Sequence, residues 1–253
     1  MQSYIHLVTG NEKYMASLEC KILDNEINID LSTARVLELY GNAGTLLNDP
    51  ENQVLEENYV VIDCDQEAID QGKEDFPNAD FRFWNRHNQM NHPGGVIDEP
   101  LPLVEGEKFD VIFAYMKTAN VDPEILFADL NTLYDYLNPQ GVIIFSVFVR
   151  EVALNYFVVR RTHEYGMLDN DLIENTEQSN VFCLIDNDDA RIDVERVPTQ
   201  GDNSVMESTH FTWFWNNEYL TKRTELAFPE ATVTSRRLPP MWSIQNPIVI
   251  QKP

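Results

Sequence analysis

Apolar residues along the chain fall into short unbroken runs separated by longer amphipathic stretches. The runs are "RVLELY" (35–40), "NYVVID" (58–63), "DFRFW" (80–84), "FDVIFAYM" (109–116) and "GVIIFSVF" (141–148). Each has strand length, and continuous Val, Ile and Phe rather than alternation suits strands buried on both faces. Between them, "QEAIDQGKEDF" (66–76) and "DPEILFADLNTLYDYL" (122–137) read as helices, and "AGTLLNDPENQVLEE" (43–57) as helix or loop. Asp122 is placed to cap the second helix, with Pro123 in its first turn, and Asn138-Pro139-Gln140-Gly141 ends it. Strands alternating with helices predict βαβ units, hence a parallel sheet covered by helices on both faces.

The ends of the chain differ in character. "NEKYMASLECKILD" (11–24) reads as an amphipathic helix. From Arg150 to about Thr212 the pattern gives a helical stretch, an acidic loop and a hairpin, "VFCLID" paired with "RIDVERV" through "NDDA". "NNEYLTKRTELAF" (216–228) is a helix ended by Pro229, and "ATVTSRRL" and "NPIVIQ" are two closing strands. With no repeat and no low-complexity linker, one domain carrying an insertion is expected rather than two domains.

Composition narrows the partners. Eighteen basic residues against 42 acidic ones give a formal net charge of −24. Such a surface repels phosphate backbones, so nucleic acid is not expected as a partner. The acidity serves solubility or, alternatively, a cationic substrate. Cys20, Cys64 and Cys183 are widely spaced and form neither a zinc pattern nor a disulfide framework, which suits a reducing compartment. The start "MQSYIHLVTG" lacks the features of a signal peptide, and "GVIIFSVFV" is too short to span a bilayer. The expectation is a cytoplasmic protein without a membrane or a metal.

Five segments, in order, carry a family resemblance: "VLELYGNAG", "VVIDCDQEAI", "ADFRFWNRH", "LPLVEGEKFDVIFAYM" and "LYDYLNPQGVIIFS". Together they resemble the class I S-adenosylmethionine-dependent methyltransferases of the small-molecule type, over about 33–149 and again over about 210–251. The resemblance implies a doubly wound, Rossmann-like, mostly parallel seven-stranded sheet with an antiparallel last strand, and here an inserted helix and hairpin lid after strand five. It divides residues 1–253 into an N-terminal helical cap (1–32), a cofactor-binding core (33–149), a substrate-covering insertion (150–209) and C-terminal core strands (210–253).

The resemblance also assigns roles. Glu38 fixes the loop around the methionine part of the cofactor; an acid there also suits the dipole of a following helix. Asp63 accepts hydrogen bonds from the ribose diol, while Asp65 caps the next helix; a cap is the alternative for Asp63 too. Cys64 packs along the adenine edge, Asn85 meets the adenine amino group or is only a loop residue, and the Arg86 N–H reaches the ring. Leu39, Tyr40, Gly41, Asn42 and Gly44 form the cofactor loop, with Ala114 and Tyr115 at the end of the fourth strand. The family's loop has glycines at alternate positions after the acid, which here are Tyr40, Asn42 and Gly44, with Gly41 out of phase. Asn tolerates left-handed backbone, so Gly41 and Asn42 are expected to carry the turn, and the Tyr40 ring must turn away from the cofactor or replace a contact with it.

Methyl transfer from a sulfonium needs alignment more than proton chemistry, so no catalytic triad is expected and no general base is assigned. Acceptor-binding residues are expected among Tyr14, Met116, Lys117, Phe148, Arg150, His210 and Trp213. Alternation places Phe211, Trp213 and Trp215 on one face of a strand, where aromatic rings suit an apolar or cationic acceptor. Expected partners are therefore a small-molecule methyl acceptor, cationic or aromatic, with a homodimer left open. Two alternatives stand. One is a catalytically silent methyltransferase-like binding protein. The other is a nicotinamide-dependent oxidoreductase, for which "YGNAGTLL" offers only G-x-x-G in place of G-x-G-x-x-G.

Overall fold

The structure, a computed structural model, describes residues 29–48, 50–84, 100–114, 123–149, 182–187, 191–196, 211–215, 217–235 and 245–253. Its strands are β1 (Val36–Leu39), β2 (Tyr59–Asp63), β3 (Asp80–Phe83), β4 (Phe109–Ala114), β5 (Leu137–Val149), β6 (Phe182–Asn187), β7 (Arg191–Arg196), β8 (Phe211–Trp215), β9 (Thr232–Ser235) and β10 (Gln245–Gln251). Its α-helices are α1 (Gln66–Asp75), α2 (Pro123–Asp135) and α3 (Asn217–Ala227).

The central sheet runs β3-β2-β1-β4-β5-β10-β9. Strands β1 to β5 pair in parallel, β10 runs antiparallel to β5, and β9 runs antiparallel to β10 and so along β5. This is the expected seven-stranded sheet, six strands parallel and the last antiparallel. Alternate residues of each strand feed two cores. Leu37, Leu39, Ile112, Ile143, Phe145 and Ile248 pack with α2 (Leu126, Leu130, Leu133) and with Leu220 of α3. Val36, Val61, Val111, Phe113, Ile144 and Val249 pack with Ile69 of α1 and with Leu31 and Leu46. Helices therefore cover both faces, α1 on one and α2 and α3 on the other. That is the outcome of right-handed crossovers wound outward in two directions from the middle of a parallel sheet.

Local chemistry sets the details. Asp65 caps α1 through its Oδ1, which accepts the N–H groups of Glu67 at 3.0 Å and Ala68 at 3.3 Å. Gly72 lets α1 lie directly on β3, because a Cβ there would overlap the ring of buried Phe81. The stretch between β1 and β2 resolves the helix-or-loop alternative: it is a run of turns over 42–48 followed by 3-10 turns at Pro50–Asn52 and Glu56–Asn58. The Asn-Pro-Gln-Gly segment lies inside β5 as an irregularity. Register with β4 jumps from Phe109↔Leu137 to Val111↔Val142, Gln140 has φ 66°, and Asn138 Nδ2 donates to Asp110 Oδ1 at 2.8 Å. Strand five therefore starts at Leu137, four residues before the position its apolar run suggests. The expected cap Asp122 and the N-terminal helix over 11–24 lie outside the described residues.

A three-stranded antiparallel branch, β6-β7-β8, leaves the central sheet at the tip of β5, where Phe148 and Val149 pair in parallel with Phe214 and Trp215. The other edge of β5 at Phe148 is taken by Gln245 of β10. The branch therefore continues the edge that β4 vacates after Ala114, opposite Phe145. It contains the expected hairpin, β6 with β7; the helical stretch expected before it lies outside the described residues. Among the described residues, no helix is long and apolar enough to cross a membrane.

Candidate functional site

The order of the strands locates the site. From β1 the chain winds outward through β2 to β3, then returns to the other side of β1 with β4 and β5. Leu39 and Ala114, the last residues of β1 and β4, are register partners. Ligands in open α/β sheets sit beyond the carboxyl ends of strands at such a reversal.

Just there the backbone takes an unusual form. Tyr40 (φ 61°), Asn42 (φ 55°) and Gly44 (φ 86°) all occupy the left-handed region. These are the three alternate positions that hold glycine in the resembling family's loop. Two of them are side-chain-bearing here, each at a cost of about 1–2 kcal/mol. The strain is balanced by hydrogen bonds: the Tyr40 N–H donates to Ile62 O at 2.6 Å, and the Gly44 and Thr45 N–H groups both donate to Gly41 O at 3.0 Å. The Thr45 hydroxyl donates to the same carbonyl at 3.0 Å.

Gly41 has a different task from the one expected. Its φ is not left-handed, and the turn is carried by Tyr40, Asn42 and Gly44 instead. A Cβ at position 41 would stand 2.6 Å from the Cδ and Oε2 of Glu38. The glycine gives room to the acid, which is fully buried at the end of β1 and accepts the Leu46 N–H at 3.5 Å. The Tyr40 ring turns into the core and stacks on Trp84, with centroids 6.0 Å apart and planes at 27°.

Asp63, at the end of β2, ties three strand ends together. Its Oδ2 accepts the Asn42 N–H at 2.8 Å, and its Oδ1 accepts the Asp65 N–H at 2.9 Å. Its carbonyl oxygen accepts the Trp84 N–H, just past β3, at 2.8 Å. The carboxylate is fully buried. It is not the cap of α1, because Asp65 holds that position. Cys64 beside it is buried.

The structure thus gathers Glu38, Leu39, Tyr40, Gly41, Asn42, Gly44, Asp63, Cys64 and Ala114 at one edge of the sheet. Phe148 and Trp213 are described by backbone position only: Phe148 at the junction of β5, β8 and β10, and Trp213 in β8 opposite Asp193. Tyr14, Asn85, Arg86, Tyr115, Met116, Lys117, Arg150 and His210 lie outside the described residues. Trp84 escapes a reading of the sequence as a partner of the loop. Its signal is an aromatic residue directly after the third strand and directly before Asn85.

A second cluster braces the segment that enters β4. Glu107 accepts two hydrogen bonds from Arg82, at 2.8 and 2.9 Å, and one from Arg35 at 2.5 Å. Burial works against the Glu107 charge, yet the Arg82 guanidinium, the Val104 N–H and Arg35 together hold its carboxyl below the ordinary glutamate value. Burial likewise opposes the charge on Arg82, and Glu107 and Asp80 more than offset it.

No family model and no curated protein matches the chain. Solved structures do. The chain is similar to an S-adenosylmethionine-dependent methyltransferase from Clostridium acetobutylicum, with 12% identity, 99% of each chain covered and a TM-score of 0.56. It is similar to DesVI from Streptomyces venezuelae, with 13% identity, 100% of this chain and 97% of that one covered, and a TM-score of 0.53. It is also similar to the glycopeptide N-methyltransferase MtfA in complex with sinefungin, with 8% identity, 94% of each chain covered and a TM-score of 0.56. At these identities the likeness shows the fold, which is that of the S-adenosylmethionine-dependent methyltransferases.

Proposed function

We propose that the protein binds S-adenosylmethionine and transfers its methyl group to a small-molecule acceptor. The observation that carries this reading is the run of left-handed residues at Tyr40, Asn42 and Gly44, directly after buried Glu38 and tied to Asp63. Strained backbone of this kind persists where a ligand needs it, and it keeps here the shape of a glycine loop whose glycines have been replaced. The residues fit the cofactor chemically. The loop from Leu39 to Gly44 offers backbone to the amino-acid end, and Glu38 fixes its base. Asp63 offers a carboxylate of the kind that accepts hydrogen bonds from a ribose diol. Cys64 is assigned small apolar packing beside the adenine, Asn85 and Arg86 contacts with its polar edge, and Ala114 and Tyr115 a place among the cofactor contacts.

When bound, the cofactor supplies an electrophilic methyl group on a sulfonium. The protein's part is to align the acceptor with that carbon and exclude water. Tyr14, Met116, Lys117, Phe148, Arg150, His210 and Trp213 are the residues to which acceptor contacts are assigned. The branch at the tip of β5 supports that assignment, since it continues the edge beyond the end of β4. A net charge of −24 supports a small molecule rather than nucleic acid as acceptor.

Calorimetry with S-adenosylmethionine and S-adenosylhomocysteine tests the reading. Binding of both is expected, and binding of NADH in their place would overturn it. A protein that binds both but turns over no acceptor in a broad methyl-transfer screen would instead match the silent binding protein.

A further inference from the structure

Tyr40 is the costliest residue of the left-handed run. A bulky side chain at φ 61° is a genuine outlier, more so than the asparagine and the glycine at the next alternate positions. Such a conformation persists only where its surroundings over-determine it. The Tyr40 ring is buried, and so is Trp84, on which it stacks with centroids 6.0 Å apart and planes at 27°. A glycine at position 40 would reach the same backbone shape without strain, but it would bring no side chain to hold that shape.

The stack closes a circuit through three strand ends. Tyr40 follows β1, and two residues on, the Asn42 N–H donates to the Asp63 carboxylate at the end of β2 at 2.8 Å. The Asp63 carbonyl oxygen accepts the Trp84 N–H, just past β3, at 2.8 Å. The Trp84 ring then returns to Tyr40. Trp84 thus takes part through two separable groups. Its backbone N–H fixes the end of β3 against β2, and any residue but proline at position 84 keeps that donor. Its ring holds Tyr40, at the root of the loop. Replacing the side chain therefore acts on the loop and leaves the β2–β3 bond in place.

We infer that Trp84 is a positioning residue for the amino-acid end of the cofactor, acting through the Tyr40 ring to hold the backbone from Tyr40 to Gly44 in its binding shape before the ligand arrives. The inference rests on the proposed cofactor reading and adds to it a residue outside the assigned cofactor contacts. A loop held in one shape asks no ordering of its ligand, whereas a loop that holds that shape part of the time weakens the apparent affinity by that fraction. The loss falls on the part of the ligand that the loop serves. The adenosine end is assigned to Asp63, Cys64 and Asn85, and it depends on the β2–β3 bond rather than on the Trp84 ring.

The test compares two ligands on the full-length protein by calorimetry, at a temperature where each variant is folded. One is S-adenosylhomocysteine; the other is 5′-methylthioadenosine, which keeps the adenosine and the sulfur but lacks the amino-acid arm. Trp84→Leu is expected to raise the dissociation constant for S-adenosylhomocysteine roughly tenfold, as for a loop in its binding shape about a tenth of the time, and that for 5′-methylthioadenosine less than about twofold. Trp84→Phe, which keeps a ring for Tyr40, should stay close to the parent with both ligands. Tyr40→Leu removes the same contact from the other side and should give the same selective loss, so it carries the test if Trp84→Leu does not fold. Phe228→Leu removes a ring from the same apolar core, where it packs on Tyr134 near the end of α2, and should lower stability without changing the ratio of the two constants. Equal weakening of both ligands, weakening of neither, no binding of 5′-methylthioadenosine to the parent, or the same selective loss in Phe228→Leu would overturn the inference and leave the cofactor reading in place. Failure of the parent to bind S-adenosylhomocysteine would instead overturn the cofactor reading itself.

Discussion

The backbone N–H of Asn42 donates to the Asp63 carboxylate at 2.8 Å, across from the loop after β1 to the end of β2. The bond holds a left-handed residue in place before any ligand arrives. Because the second carboxylate oxygen accepts the Asp65 N–H, both oxygens of Asp63 contribute to the shape of the crevice. Asp63 is therefore an organiser of the loop in addition to its proposed part as a ribose acceptor.

Replacing Asp63 with Ala strands two N–H donors. Hydrogen bonds to a charged group contribute about 1.5–3 kcal/mol each, so urea unfolding should show a stability loss of about 3–6 kcal/mol for the two. The dissociation constant for S-adenosylhomocysteine should rise roughly ten- to hundred-fold, read by calorimetry at a temperature where the variant is folded. Asp63→Asn, which keeps one acceptor oxygen, should fall between. An Ala variant with unaltered affinity would remove Asp63 from the cofactor site.

Asn42 and Tyr40 share a backbone conformation but not its consequences. Asn42 is exposed, with φ 55°, so Asn42→Gly relieves strain and loses little packing. It should leave stability unchanged or raise it, and Asn42→Val should cost about 1–2 kcal/mol. Tyr40 is buried and stacked on Trp84. Tyr40→Gly gains the same relief, but it forfeits about 1.5–3 kcal/mol of burial and about 0.5–1.5 kcal/mol of ring contact. The expected result is a net loss from a substitution that restores the glycine of the resembling family. A Tyr40→Gly protein more stable than the parent would show that the stack contributes little.

How far such features can be read from the residues depends on their range. Strands β1, β2 and β4 and the apolar run of β5 announce themselves because burial on both faces demands continuous apolar residues, whereas edge strand β3 buries Phe81 but exposes Asp80 and Phe83; Asp65 announces the start of α1 by local cap chemistry. The alternate positions 40, 42 and 44 were legible only against the family's glycine spacing. That Gly41 makes room for Glu38, and that Tyr40 reaches Trp84, follow from side-chain packing that periodicity does not encode. The branch was half legible. Its hairpin is local, but the pairing of Phe214 with Phe148 joins segments far apart in the chain. The Arg35–Glu107–Arg82 cluster gave no signal at all, since its members lie on three separate segments in a chain crowded with acids.

Gly41 and Glu38 should behave as one unit. Gly41→Ala drives a Cβ to within 2.6 Å of the acid, and both groups are buried. Overpacking of this kind costs about 1–3 kcal/mol and should displace the loop, weakening S-adenosylhomocysteine binding. Glu38→Ala opens space for the new methyl group. In a double-mutant cycle the second substitution should then cost clearly less than in the parent, a coupling of about 0.5–3 kcal/mol. Additive losses would show that the two residues do not compete for the same volume.

The last expectation concerns acid. Burial alone would raise the Glu107 carboxyl, but Arg82, the Val104 N–H and Arg35 outweigh it and hold the folded value below the ordinary 4.5. The Glu107 side chain is only 4% exposed, so solvent screens these bonds little. A carboxyl with a depressed value in the folded state stabilises the fold fully above its unfolded value. It loses that contribution as pH falls through the folded one. The Arg82 guanidinium stays protonated throughout, so the change in this window belongs to the carboxylate. Glu107→Gln cannot titrate and leaves the half-buried Arg82 guanidinium without its main anion. At pH 6 the variant should therefore be the less stable protein in urea unfolding. As the pH is lowered from about 4.5 toward the depressed value and below it, the parent should lose stability faster than the variant, and the gap between them should narrow. Other carboxylates act on both proteins alike, so the difference between the two curves isolates Glu107. Curves that run parallel from pH 6 down to the acid limb would show that the cluster contributes no pH-dependent stability.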